Sequence, residues 1–220
     1  MNVILFGSTG RVGQGALREC LLDAGAERVL SVGRSALGQQ HPKLRECLQA
    51  DLFDLAPIED QLRRHDACFF RLGVSSFGMT EEAYRRVTYG LTLSVVKTLV
   101  RLNPGMTFIY VSGAGTDSSE RGSSMWARVK GATENALMRL PFKAAYMFRP
   151  GAIVPLHGIT SKTRLYRILY ALMTPLWRPL QAAFPKAITT TEQVGRAMLR
   201  VARDGAPKAI LESGDLSALR

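Results

Sequence analysis

Three glycines near the start of the chain, Gly7, Gly10 and Gly13, stand at three-residue spacing in the stretch MNVILFGSTGRVG. Val3 to Phe6 precede them as a continuous apolar run, the pattern of a strand buried on both faces of a parallel sheet. Val12 to Leu22 follow as an amphipathic run that reads as a helix. A strand that turns abruptly into a helix aims the helix's unpaired N–H groups, and the positive end of its dipole, at one point. Phosphate suits that point. Gly7 permits the tight turn, Gly10 lets the backbone approach a pyrophosphate, and Gly13 lets the helix lie close to the strand. The placement of the triad between strand and helix carries this reading; a glycine-rich turn of any α/β protein is the plainer alternative.

The next residue with chemistry in it is Arg34. Arg28 to Val32 reads as a second strand, and it ends in Gly33-Arg34-Ser35. In a dinucleotide fold the residue at this strand end meets the adenosine ribose, where a carboxylate favours a free 2′-hydroxyl and an arginine favours a 2′-phosphate. Arg34 with no acid beside it favours NADP(H), with NAD(H) left open; a solvated surface arginine is the alternative. His41, His65 and His157 are isolated and lack ligand spacing, so no metal site is expected. His65 reads as a surface residue before a strand and His157 as a loop histidine. Cys20, Cys47 and Cys68 each lie in an apolar run without CxxC spacing, which predicts buried free thiols in a reducing cytosol rather than metal ligands or disulfides.

The elements that must position these residues alternate. Leu44 to Ala50 leads into Asp51-Leu52 as a third strand, and Pro57 to Arg64 makes a short helix. Asp66 to Leu72 is a fourth strand, followed by Gly73. A helix capped by Thr80 runs to Leu102, where Asn103-Pro104-Gly105 stops it. Met106 to Val111 is a fifth strand, Ser123 or Ser124 caps a helix to about Leu140, and Ala144 to Phe148 is a sixth strand. Ser161 to Phe184 is helical in character, Thr191 caps a helix to Arg203, and Ala209 to Leu211 is a short last strand. The rhythm predicts an α/β fold: one Rossmann-like, doubly wound parallel sheet over residues 1–220, with residues 151–220 as a small substrate-side elaboration.

At 220 residues, 46% hydrophobic and 21% charged, the chain has the composition of an ordinary globular domain. The first residues already read as a core strand, so no signal peptide is seen and a cytoplasmic location is expected. The net charge of +11 is uneven, with 12 basic against 4 acidic residues over 141–220 and no Asp or Glu between Glu134 and Glu192. A dinucleotide, nucleic acid or an acidic membrane surface could each use that field. The basic, Trp- and Leu-bearing stretch over 161–186 suits a membrane interface or the cover of a substrate pocket; no nucleic-acid module is recognisable.

These residues resemble the extended and atypical short-chain dehydrogenase/reductases. Gly7 to Gly13 (GSTGRVG), Asp51-Leu52 and Phe148-Arg149-Pro150-Gly151 carry the likeness, which spans nearly the whole chain, and small epimerase/dehydratase-like members related to the Tat-interacting-protein oxidoreductases are nearest. The resemblance implies that Thr9, Gly10, Arg11 and Val12 bind the pyrophosphate through backbone N–H groups and that Arg34 clasps the 2′-phosphate. It implies that Asp51 accepts from the adenine amino group with Leu52 alongside the ring, that Leu72-Gly73 pass beside the adenosine ribose, and that Pro150 and Gly151 lie near the nicotinamide.

At the catalytic position the chain departs from the family. Active members carry Tyr-x-x-x-Lys on the helix after the fifth strand, where i, i+4 spacing puts both side chains on one face. Here the stretch is Trp126-Ala127-Arg128-Val129-Lys130: the lysine is present and the tyrosine is tryptophan, whose indole N–H only donates. Ser112 ends the fifth strand, but Gly113 stands where relatives often have a second serine. Lys130 could hold the nicotinamide ribose while Ser112 or a water gives the proton; Tyr84 or Tyr89 could reach in, though nothing in the sequence places them there. Two functions follow: an NADP(H)-dependent oxidoreductase of unidentified small-molecule substrate, or a non-catalytic dinucleotide sensor acting on a protein partner.

Overall fold

The computed structural model describes residues 1–157 and 187–219. In chain order its strands are β1 Asn2–Phe6, β2 Arg28–Gly33, β3 Leu44–Leu48, β4 Ala67–Phe70, β5 Thr107–Val111, β6 Ala144–Arg149, β7 Ala152–Val154, β8 Ile188–Thr190 and β9 Ile210–Glu212. Seven of them form a parallel sheet in the order β3-β2-β1-β4-β5-β6-β9. β7 and β8 pair in parallel as a separate ribbon, which the sequence reading did not anticipate. The described helices are α1 Arg11–Leu22, α2 Glu59–Leu62, α3 Glu81–Arg85, α4 Leu91–Leu102, α5 Met125–Met138, α6 Thr191–Asp204 and α7 Ser213–Ala218.

The unbroken apolar runs of the strands follow from burial on both faces. Val3 and Leu5 of β1 point to one side, with Phe69, Ile109, Phe148 and Leu211, against Ala16, Leu17 and Cys20 of α1 and Val194, Ala197 and Met198 of α6. Ile4 and Phe6 point to the other, with Phe70, Phe108, Tyr110 and Met147, against Val95, Val96 and Leu99 of α4 and Leu137 of α5. The part of the chain after residue 151 therefore completes the main core: β9 adds the seventh strand and α6 covers one face beside α1. All three cysteines are buried free thiols.

Local signals behave as their chemistry requires, with four adjustments. Thr80 caps α3, its Oγ1 accepting from Ala83 N at 3.3 Å, and Glu81 and Glu82 sit in the first turn. The helix expected to run on to Leu102 contains a π turn at Arg86–Gly90 before α4. Asn103 ends α4 by bonding away from it, Nδ2 to the Leu62 carbonyl at 2.8 Å and Oδ1 from His65 N at 3.0 Å. His65 is consequently half-buried rather than on the surface, and burial lowers its pKa. At α5 the cap position is Ser124, but no side-chain hydrogen bond closes it. At α6 the cap is Thr190, one residue before the one expected, because Thr190 and Gln193 form a reciprocal capping box at 3.0 Å in each direction.

Phe70 is the centre of the second face, its ring 5.4 Å from Phe6, 5.8 Å from Phe108 and 6.1 Å from Tyr110. Phe70→Ala is expected to destabilise the protein by about 3–5 kcal/mol, measured as the drop in free energy of urea unfolding.

Candidate functional site

The strand order reverses between β1 and β4, so the crevice beyond the C-terminal ends of these two strands is the topological switch point of the sheet. The glycine turn lies there. Gly7 adopts φ +84°, and a Cβ on it would collide with the Arg71 carbonyl that leaves β4. A Cβ on Gly13 would strike the Gly7 carbonyl, so α1 lies directly on the turn. Gly10 N closes the loop on Gly7 O at 3.0 Å, and the Gln14 side chain braces it by donating to Thr9 O at 3.0 Å. Beneath, the buried Ser8 hydroxyl shares a 2.7 Å hydrogen bond with Ser31 of β2. α1 has Gly10 as its N-cap, with no side-chain cap and no acid in its first turn, so its leading N–H groups are offered to the crevice.

One further cation borders this turn and a second lies beyond β5. Arg71 follows β4, and its Nη1 lies 3.2 Å from the point a Gly10 Cβ would occupy. Burial, and next the charge of Arg11, push its guanidinium below the ordinary arginine range. Lys130 projects from α5 and donates from Nζ to the Ser112 carbonyl at the end of β5. Burial pushes Lys130 down to about 8, Arg71 acting in the same sense and Glu134 against it. The Trp126 ring lies one turn before, its centroid 5.8 Å from Lys130 Nζ and its edge against Gly115.

The Ser112 hydroxyl points elsewhere. It donates to the carboxylate of Glu134 and lies 3.2 Å from the Phe148 carbonyl. Glu134 is fully buried and is held by Arg149, whose Nε lies 3.1 and 3.2 Å from the two carboxylate oxygens. Arg149 also reaches Ser118 and, at 3.2 Å, Glu212 of β9. What Ser112 offers Lys130 is its carbonyl, while its hydroxyl belongs to an internal network. Sequence reasoning missed Arg71, Glu134 and the structural use of Arg149. The available signals were an arginine ending the apolar strand ACFF, and an acid one helical turn after Lys130 on a face otherwise apolar.

No family model matches the chain. The mitochondrial protein FMP52 of Meyerozyma guilliermondii is 24% identical over 229 residues, covering 97% of this chain and 92% of that one. A mitochondrial FMP52-type protein of Aspergillus oryzae is 24% identical over 98% of this chain and 95% of its own. Among solved structures, a UDP-N-acetylglucosamine 4-epimerase of Methanobrevibacter ruminantium superposes with a TM-score of 0.69 at 13% identity, over 95% of this chain and 74% of that one. A short-chain dehydrogenase of Burkholderia cenocepacia in complex with NADP gives 0.64 at 16%, over 95% and 86%. The enzyme WbmF of Bordetella bronchiseptica in complex with NAD+ gives 0.64 at 16%, over 99% and 76%. The chain has the fold of the short-chain dehydrogenases. The expected cytoplasmic location is overturned by the curated relatives, which are named mitochondrial proteins; a chain that begins on a core strand does not by itself give an address.

Within the short-chain dehydrogenase fold the remaining expected residues separate into groups. Thr9, Gly10, Arg11, Val12 and Gly13 form the turn and first turn of α1, and Leu72-Gly73 leave β4 beside them. Arg34 stands exposed just past β2. Asp51 is exposed too, its Oδ1 accepting from Phe53 N at 2.9 Å. Leu52 is packed in the core with Leu55 and Ile58, so contact with a ligand would fall to its backbone. Pro150 is buried with its carbonyl bonded to Ala114 N at 2.9 Å, and Gly151 N donates to Ser213 Oγ at 3.1 Å. Tyr84 is buried with its pKa raised by burial, and Tyr89 lies under Arg85, 4.6 Å from guanidinium to ring centre. Among the described residues neither makes a hydrogen bond or ring contact with Lys130. His157 pairs with Glu192 at 2.7 Å. The basic stretch over 161–186, with its membrane or pocket-cover reading, lies outside the described residues.

Lys130 yields a pH prediction. The unfolded lysine titrates near 10.5 and the folded one near 8, so between these values the unfolded state binds more protons and stability rises with pH. Below about 8 both states are charged and the burial penalty is felt in full. Urea midpoints should therefore show the wild type gaining on Lys130→Met as pH is raised from about 8 towards 10.5.

Proposed function

We propose that this protein is a short-chain-dehydrogenase-type oxidoreductase that binds a nicotinamide dinucleotide, NADP(H) in preference to NAD(H), and acts on a small molecule yet to be identified. The observation that carries the reading is the cradle at the switch point: a glycine turn whose Cβ positions at Gly7 and Gly13 are filled by backbone, an uncapped helix start, and Lys130 one strand away. The residues fit the cofactor. Thr9, Gly10, Arg11 and Val12 would hold the pyrophosphate, Arg34 the 2′-phosphate, Asp51 and the Leu52 backbone the adenine, Leu72-Gly73 the adenosine ribose, Lys130 the nicotinamide ribose, and Pro150-Gly151 the nicotinamide. The bound dinucleotide supplies or accepts a hydride. Lys130, anchored on the Ser112 carbonyl, orients the ribose and keeps a positive charge, or a proton to give, at the mouth of the site. The location that agrees with the FMP52 relatives is the mitochondrion.

A second reading is favoured by one specific arrangement. Trp126 stands where the resemblance puts the family's tyrosine, four residues before Lys130, and the Ser112 hydroxyl is committed to Glu134, so neither would supply a hydroxyl proton to a substrate. A dinucleotide sensor acting on a protein partner needs the cradle without that proton. It would have no use for turnover.

Calorimetric titration with NADPH and NADH separates these readings from a protein that uses its fold otherwise. Arg34→Ala is expected to weaken NADPH about tenfold, the effect of one charge-assisted contact, and to leave NADH unchanged. Binding with turnover on a panel of carbonyl, quinone and flavin acceptors supports the oxidoreductase. Binding without turnover, restored in Trp126→Tyr, supports the sensor, and no binding of either nucleotide at millimolar concentration ends both.

A further inference from the structure

Arg71 is the one cation of the crevice that the family resemblance does not account for, and the inference drawn from it rests on the dinucleotide reading above. Its backbone is fixed on both sides: the Arg71 N–H donates to Phe6 O at 3.0 Å, and its carbonyl fills the space over Gly7. The side chain then has to fold back across the turn, which brings Nη1 to 3.2 Å and Cζ to 3.8 Å of the Gly10 Cβ position, at the residue that opens α1. The guanidinium is largely buried, and no hydrogen bond or ion pair holds it among the described residues. Arg11 and Lys130 both interact with it as like charges. Glu134, the carboxylate that acts on Lys130, is already bonded to Arg149 and Ser112.

The Arg71 guanidinium therefore stands beside Gly10 and the α1 N–H groups with the like charges of Arg11 and Lys130 acting on it and no counter-charge among the described residues. Leaving a buried cation unpaired among like charges lowers stability, and an anion able to take a planar, two-pronged donor reverses this. We propose that Arg71 is a ligand of the diphosphate group of the bound nucleotide, adding a side-chain contact to the backbone cradle at Gly10, and that the empty protein is less stable for carrying it. Arginine suits this position better than lysine, since its fork can bridge two phosphate oxygens.

The test uses Arg71→Gln and Arg71→Lys in the full chain, with NADPH and inorganic pyrophosphate as probes, read by calorimetry and by thermal unfolding of the ligand-free proteins. Arg71→Gln should weaken both probes about tenfold to a hundredfold, the range of one or two charge-assisted bonds, while its ligand-free melting temperature equals or exceeds that of the wild type. Arg71→Lys should recover part of the affinity. Opposite signs on affinity and stability mark a ligand-binding arginine; a purely structural one would lower both. Wild-type-like NADPH and pyrophosphate binding by Arg71→Gln, or a marked fall in its ligand-free melting temperature, overturns the inference and leaves the dinucleotide reading standing. If the wild type binds pyrophosphate through Arg71 but neither nucleotide, the diphosphate contact stands and the dinucleotide reading falls. Binding of neither probe by the wild type ends both.

Discussion

The arrangement around the crevice depends on one carboxylate that water never reaches. Glu134 on α5 accepts from Ser112 at the end of β5 and from Arg149 at the end of β6, and Arg149 reaches on to Glu212 of β9. A buried charge is tolerated only when paired and fully hydrogen-bonded, so these elements have to meet in one geometry for Glu134 to be satisfied at all. Lys130 stands one turn earlier on the same helix. The rotation of α5 that delivers Glu134 to Arg149 also delivers Lys130 to the Ser112 carbonyl. The internal network and the lysine on the Ser112 carbonyl are two consequences of a single docking.

What was legible in the sequence was what the chain decides locally. The glycine turn could be read because its strand, turn and helix are consecutive, and because steric exclusion at Gly7 and Gly13 leaves few residue types that fit. The central strands of the sheet were found because their short apolar runs are bounded by turn residues, whereas β7 and β8, three residues each, escaped. Strand ends were less clear: β3 stops at Leu48 and β4 at Phe70, where pairing with β2 and β5 runs out, and a sequence does not display its pairing. The cap of α6 was misplaced by one residue because Thr190 and Thr191 are chemically identical and only Gln193 decides between them. The π turn at Arg86–Gly90 left no signal that a helical pattern would reveal.

The site was half legible for the same reason. The positions of Lys130 and Trp126 follow from one helix and its spacing. Arg71 and Glu134 act through partners that are distant in sequence, Arg71 at Gly10 and Glu134 at Ser112 and Arg149, so neither has a local signature. Ser112 shows the cost of reading a residue type without its direction. A serine at that strand end suggests a proton donor, yet its hydroxyl is turned inward and its carbonyl does the outward work.

The pairing of α1 with α6 has a consequence for how the chain is made. Cys20, Leu17 and Ala16 of the first helix are buried partly by Val194, Ala197 and Met198, and Glu19 is joined to Arg196 at 3.2 Å. The ribosome emits α6 and β9 long after α1, so throughout that interval the apolar side of α1 has no permanent cover, and the sheet lacks the edge that β9 will supply. Native closure of this face has to wait for α6 to leave the exit tunnel, and until then a nascent chain of this design exposes the apolar side of α1 to self-association.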